Sequence, residues 1–402
     1  MEFRMEKGIG KLLSVTGCAW LFDAMDVGLL SFILVAIQKD WGLSQVQVGW
    51  LGSVNSIGLA VGAIIFGLLA DTKGRKLMLM VTLLTFSVAT GLSALASGYL
   101  VFMVLRFFVG LGLGGELPVA STLVAEHVPQ HIRGRVIVLL ESFWAVGWLL
   151  ASLLAYFVIP AYGWRITLVI ASLSAFYVFI LRRHLPTDQK AVTKNSARPT
   201  LSPWQRIRKL FEKPYRRSTI MLWLVWFMIM FSYYGIFLWL PNVLVGKGFS
   251  MVHSFGYVVV MTVAQLPGYF TAAWLVEKWG RKSVLATFLL GTAVSAFAFG
   301  FATTVPMVLL SGMLLSFFNL GAWGVLYAYT PELYPTAIRG TANGLAEGFG
   351  RLGGILGPLA IGVFLSKHLS FEAIFAVFSL AIMVAVLTIL VLGRETKGVE
   401  LD

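Results

Sequence analysis

The decapeptide GLLADTKGRK at residues 67–76 returns as AWLVEKWGRK at residues 273–282. In both copies an acid (Asp71, Glu277) stands four residues after a small residue (Gly67, Ala273), and Gly-Arg-Lys (Gly74-Arg75-Lys76, Gly280-Arg281-Lys282) follows at the same spacing, 206 residues apart. The same offset carries Glu126-x2-Pro129-x3-Arg133-Gly134 onto Glu332-x2-Pro335-x3-Arg339-Gly340, Glu141 onto Glu347 and Gly147 onto Gly353. Chance does not hold one register through that many segments, so the chain is one unit used twice.

Composition says what solvent the unit meets. Of 402 residues, 58% are hydrophobic and 12% charged, about half the charge of an average soluble domain, which makes a soluble enzyme an unsuitable reading. Apolar runs of about 20 residues, long enough to cross some 30 Å of hydrocarbon as helix, fall near 12–37, 47–70, 77–97, 99–124, 136–159, 164–182, 218–240, 254–276, 283–302, 305–330, 341–366 and 371–393. The expected fold is an all-α membrane protein of twelve transmembrane helices in two pseudo-symmetric six-helix bundles, residues 1–182 and 218–402. A basic cytoplasmic linker, 183–217, joins them and carries a short amphipathic helix near Trp204–Phe211 at the headgroup level. The first run is too long for a signal peptide and lacks a small-residue cleavage site, so it reads as a span. The single cysteine, Cys18, excludes a disulfide framework and a multi-cysteine metal site; neither metal nor cofactor is expected.

Alternating the loops places 25 of the 31 Lys and Arg on the side of both termini, against Lys39, Arg165, Lys247 and Lys367 on the other. By the positive-inside rule both termini are cytoplasmic, and the net charge of +13 calls for no nucleic acid. Parallel repeats with a substrate site between them near the midplane are a transporter architecture. The repeated acids and cations (Asp71, Arg75, Glu126, Arg133, Glu277, Arg281, Glu332, Arg339) sit at cytoplasmic helix ends, where they can pair when those ends are close. They read as latches, with Glu141 and Glu347, a few residues inside their helices, as further members; the alternative is plain loop solvation.

GLLADTKGRK, its second copy, the run Arg106-Phe-Phe-Val-Gly110-Leu-Gly112-Leu-Gly114-Gly115-Glu116-Leu-Pro118 and the tail Glu395-Thr396-Lys397-Gly398 resemble the major facilitator superfamily over essentially the whole chain. Within it they look most like the branch shared by sugar porters, organic-ion transporters and the synaptic vesicle protein 2 group. Phe22-Asp23-Ala24-Met25-Asp26, GGELPVASTLVAE (114–126) and YYGIFLWLP (233–241) look like the bacterial niacin permeases, a pattern shared in part with aromatic-acid permeases. The resemblance implies a secondary transporter working by alternating access, with a small-molecule substrate, a proton as co-substrate, the cell membrane as its place and a monomer as its working form.

Charges inside hydrocarbon cost about 2.5–3.5 kcal/mol each on insertion scales and face a cavity or a partner. Seven are expected there: Asp23, Asp26, Arg106, Glu116, Glu141, Glu347 and Arg351. At 1.5 Å per residue Asp26 lies about 21 Å from the cytoplasmic start of its helix, and Arg106 about 11 Å from the outer start of its own, so the two can pair. An aspartate beside an arginine stays ionised; opened toward a cavity it can accept a proton, and Asp23, one turn away, is the alternative carrier. The resemblance to proton-coupled facilitators with an acid here implies the same coupling, whereas the plain alternative is a permanent structural salt bridge. Arg351, about 15 Å into its helix, offers a forked partner for a carboxylate. In the organic-ion transporters resembled, a basic residue at the matching place, before Gly354-x3-Pro358, goes with anionic substrates; the alternative is an intrahelical pair with Glu347. Trp20, Trp144, Trp148, Tyr233 and Tyr234, with Trp323 and Tyr327 in the tenth run, supply aromatic walls suited to a flat ring, while Trp41, Trp50 and Trp239 near helix ends read as interfacial belt residues. Together these features fit a small aromatic carboxylate such as nicotinate. A sugar porter would bring more Gln and Asn than Asn55, Gln265, Asn319 and Asn343, Arg351 disfavours a cation, and the five histidines have no ligand or catalytic spacing that would support a membrane enzyme.

Overall fold

A computed structural model describes residues 7–127, 130–184 and 202–397, except for the side chains of 7, 67–68, 70–72, 75, 117–127, 130–135, 137–138, 203 and 336. Its helices are α1 (Lys7–Trp41), α2 (Gln45–Lys73), α3 (Arg75–Ser93), α4 (Tyr99–His127), α5 (Gln130–Ser172), α6 (Tyr177–His184), α7 (Pro203–Leu210), α8 (Lys213–Gly246), α9 (Met251–Val263), α10 (Gln265–Trp279), α11 (Arg281–Phe301), α12 (Val305–Glu332), α13 (Thr336–Ser366) and α14 (Phe371–Leu392). Among the described residues, eleven stretches are long and apolar enough to span a membrane. One of them, Leu139–His184, has 46 residues, about 69 Å of helix and more than twice the hydrocarbon thickness. It is two crossings, divided where Gly163 (φ 83°, ψ 167°) leaves helical geometry, so the chain has twelve. The eighth crossing is divided into α9 and α10 at Ala264; Pro267, three residues on, has no N–H to give the carbonyl of Val263.

Two compact units are formed, Met1–Lys190 with Leu240–Val259, and Ala191–Trp239 with Val260–Asp402. The 206-residue register governs the backbone within both. The starts of α2, α3, α4 and α5 (45, 75, 99, 130) return as those of α9, α11, α12 and α13 (251, 281, 305, 336). The left-handed glycines Gly42 and Gly74 return as Gly248 and Gly280. In hydrocarbon, where burial of apolar surface gives helices no reason to associate, small residues that let backbones touch do that work. A methyl group on Gly62 of α2 would strike the carbonyl oxygen of Leu111 in α4, and one on Gly268 of α10 that of Phe317 in α12. Gly147 of α5 stands likewise against the carbonyl of Leu21, and Gly353 of α13 against that of Phe227, each pair again 206 residues apart. Gly353→Val is therefore expected to destabilise the second unit by about 3 kcal/mol, the upper part of the overpacking range, read as a fall in the thermal unfolding temperature of the purified protein.

The short helix expected near Trp204 is α7. Ser202 accepts from the backbone N–H of Gln205 while the Gln205 side chain accepts from the N–H of Ser202, a reciprocal cap that fixes where the helix starts. Leu210 is buried beneath it, and Trp204 and Phe211 are exposed.

Candidate functional site

In the first unit the centre is the pair expected from depth. Arg106 Nη1 of α4 lies 3.6 Å from Asp26 Oδ2 of α1, both side chains at most 2% exposed. Thr90 of α3 donates to Asp26 Oδ1 at 2.9 Å, Arg106 Nη2 to Ser93 at 3.5 Å, and the guanidinium carbon lies 5.3 Å from the centre of the Phe102 ring. Three helices thus hold one ion pair whose desolvation is offset by hydrogen bonds on both partners. Asp23 and Glu116 are equally buried. Thr82 donates to Glu116 Oε2 at 3.2 Å, and neither oxygen of Asp23 has a hydrogen-bond partner among the described residues. Trp20 lies against Trp144 with ring centres 4.9 Å apart, and Trp148 of α5 packs on Gly28 of α1.

In the second unit Arg351 is 8% exposed and is met from three helices. Its Nη2 donates to Glu347 Oε1 at 3.0 Å, one turn back on α13, and its Nη1 to the Tyr234 hydroxyl of α8 at 3.3 Å. Tyr327 of α12 donates to the same Glu347 oxygen at 3.1 Å. Aromatic rings surround this polar group: Tyr233 lies 4.9 Å from Trp323 and 5.2 Å from Tyr234, and Trp226 lies 4.9 Å from Tyr327. The arrangement presents a guanidinium with a fork for a carboxylate inside walls that suit a planar ring.

Helix starts and ends change three of the readings made from sequence. α13 begins at Thr336, directly after Pro335, so Glu347 lies about 16 Å and Arg351 about 22 Å along it. Glu347 consequently pairs with Arg351 and Tyr327 rather than joining the latch at the helix ends. Glu141 is likewise eleven residues into α5 and buried. Trp239 is no belt residue: α8 runs on through Pro241 to Gly246, and Trp239, 1% exposed, donates from Nε1 to the Pro358 carbonyl at 3.0 Å. One ring of the group around Arg351 carried no reading in sequence, Trp226. The repeat offset could have found it, because Trp226 stands 206 residues after Trp20.

At the ends of the helices in the second unit, Arg281 bridges Glu332 at 3.0 Å and Glu277 at 3.5 Å. Arg339 donates instead to the carbonyls of Pro331 and Tyr334, satisfying the open end of α12. The chain after α14 closes over this group. Glu395 accepts from the backbone N–H groups of Arg281 and Lys282, at 2.8 and 3.1 Å, where the α11 dipole favours a carboxylate, and Thr396 donates to Glu332 at 2.5 Å. The side chains of the first-half counterparts, Asp71, Arg75, Glu126 and Arg133, lie outside the described residues.

The solved structure of a D-xylose-proton symporter superposes with a TM-score of 0.81 over 98% of this chain and all of that one, at 21% identity, a likeness of fold. A protein of Bacillus subtilis (strain 168) named for niacin/nicotinamide transport, NiaP, is 56% identical over 98% of both chains. The niacin transporter NiaP of Acinetobacter baylyi is 46% identical over 97% of this chain and 95% of that one, and a cis,cis-muconate transport protein of the same organism is 33% identical over 86% and 84%. These relatives are transporters of small molecules, and none is an enzyme. The Major Facilitator Superfamily profile matches residues 16–264 and 252–401, together nearly the whole chain. With twelve crossings, the internal duplication and these matches in agreement, the chain belongs to the Major Facilitator Superfamily and is a multi-pass membrane transporter.

Proposed function

We propose that this protein is a proton-coupled importer of a small aromatic carboxylate, nicotinate first. The observation that carries the reading is Arg351, a guanidinium buried among Tyr233, Tyr234, Trp226, Trp323 and Tyr327. A cation so placed costs free energy in hydrocarbon and is suited to an anion whose remainder stacks on rings. Trp20, Trp144 and Trp148 offer a second aromatic wall in the first unit. The relatives named for niacin transport point to the same substrate. The muconate relative favours a second reading, an open-chain organic acid, for which a cluster of five rings has no evident use.

Proton coupling falls to Asp26, released from Arg106, with Asp23 as the alternative carrier. The bundles 1–182 and 218–402, joined by 183–217, alternate access. Arg281, Glu332, Glu277 and Arg339, together with Asp71, Arg75, Glu126 and Arg133, latch the cytoplasmic side. The protein acts as a monomer in the cell membrane with both termini in the cytoplasm, where the basic loops belong. In proteoliposomes, uptake of labelled nicotinate is expected to be saturable, driven by an inward proton gradient and collapsed by a protonophore. Thermal stabilisation by sugars or amines with none by aromatic acids would overturn the substrate class, and uptake indifferent to the gradient would overturn the coupling.

A further inference from the structure

We infer that Glu347 is an internal stand-in for the substrate's carboxylate, occupying Arg351 between transport events, and that a proton linked to substrate binding goes to Glu347 when it is displaced, apart from the proton the Asp26–Arg106 pair is proposed to carry through the transport cycle. This rests on the proposed reading that Arg351 receives a carboxylate.

The geometry makes Glu347 a displaceable partner. Tethered four residues away on the same helix, it reaches Arg351 through one oxygen and one guanidinium nitrogen, Oε1 to Nη2 at 3.0 Å, and that same oxygen also accepts from Tyr327. A free carboxylate is not bound by the helix and can lie along the fork with two parallel bonds, the stronger arrangement. Glu347 is also the more open of the two side chains, 24% exposed against 9% for Arg351, so it has somewhere to turn. The charged and titratable groups facing it are Arg351 on its own helix, Tyr327 from α12 and Tyr234 from α8.

Charge balance then decides the fate of the displaced carboxylate. Arg351 with Glu347 is neutral; adding a substrate anion leaves one uncompensated negative charge about midway along a membrane-spanning helix, and two carboxylates at one cation disfavour joint ionisation. One proton from the aqueous phase converts the Glu347 carboxylate to the acid, which can still donate a hydrogen bond, and the loaded site is neutral again. One anion and one proton therefore load together. This differs from the Asp26–Arg106 pair, where Thr90, Ser93 and Phe102 hold both partners and at most 2% of either side chain is exposed.

The test is equilibrium binding of labelled nicotinate, and of benzoate as a second carboxylate, to the purified full-length protein from mildly acidic to mildly basic pH. Wild type is expected to weaken as pH rises, approaching tenfold per pH unit where one proton is linked to binding. Glu347→Gln, which removes the competing charge and keeps the shape, is expected to bind at least tenfold more tightly at the basic end and to lose the slope. A slope unchanged in Glu347→Gln or weaker binding in that variant would each overturn the inference. Should Glu347→Gln fail to fold, Glu347→Asp serves: its shorter reach is expected to raise affinity with the slope retained, and reduced affinity would overturn the idea. Binding of benzoate but not nicotinate would remove the nicotinate assignment and leave the inference standing, whereas absence of any carboxylate binding would remove both.

Discussion

Arg351→Ala is expected to abolish saturable uptake of nicotinate and to weaken its binding by at least about 100-fold. The size follows from two losses that act together. The substrate carboxylate loses a forked, charge-assisted partner in a buried setting, and Glu347, no longer neutralised at 3.0 Å, is left as a bare anion facing the incoming one. The pair of effects is worth about 3 kcal/mol or more, which is 100-fold in affinity. Arg351→Lys should fall between, about tenfold weaker than wild type: the charge survives, but an ammonium on a flexible stem cannot present two parallel donors. Equilibrium binding with both variants checks this, and binding unchanged in Arg351→Ala would show that the anion lies elsewhere.

Arg106→Met is expected to have the largest effect on stability, about 3–5 kcal/mol, the range measured when one partner of a buried ion pair is removed. The reason is local. Arg106 is paired with Asp26 where both are buried, and without it Asp26 keeps, among the described residues, only the hydroxyl of Thr90. Removing both charges in Asp26→Asn/Arg106→Met should return most of the lost stability while leaving transport dead, because the pair is proposed to work by opening and closing. Thermal unfolding of the two single variants and the double variant forms a double-mutant cycle, and a coupling term near zero would show that the two charges do not depend on each other.

The architecture was legible because its signals are redundant: a repeat offset, twelve apolar runs and a one-sided distribution of Lys and Arg all describe the same object. The Asp26–Arg106 pair was legible by counting residues from helix ends, which works when those ends are apolar. It failed on α13. The residues after Pro335 are polar enough (Arg339, Gly340, Thr341) that hydropathy begins the helix several residues late, while the backbone begins it as soon as proline ceases to constrain the residue before it. Glu347 was therefore placed too near the surface and assigned to the latch. Trp239 failed in the opposite way, since Pro241 reads as a stop signal, yet a proline within a membrane helix is tolerated where neighbouring groups satisfy the freed backbone. Trp226 had only its 206-residue offset from Trp20 to distinguish it in a chain that is 14% aromatic; packing brings it against Tyr327 in the Arg351 group.

The shared register of the two halves also separates scaffold from chemistry without reference to any other protein. Shifting the chain by 206 residues against itself superposes the glycines at helix contacts and turns, and these cancel. The buried charges do not all cancel: Asp26 corresponds to Ser232, Arg106 to Gly312, and Arg351 to Ala145. Trp148 and its cushion Gly28 correspond to Gly354 and Tyr234, the large and small partners exchanged between helices. Each of the three charges belongs to one half alone and the exchanged ring stands on a different helix in each half, so the two units are alike in backbone and unlike in chemistry.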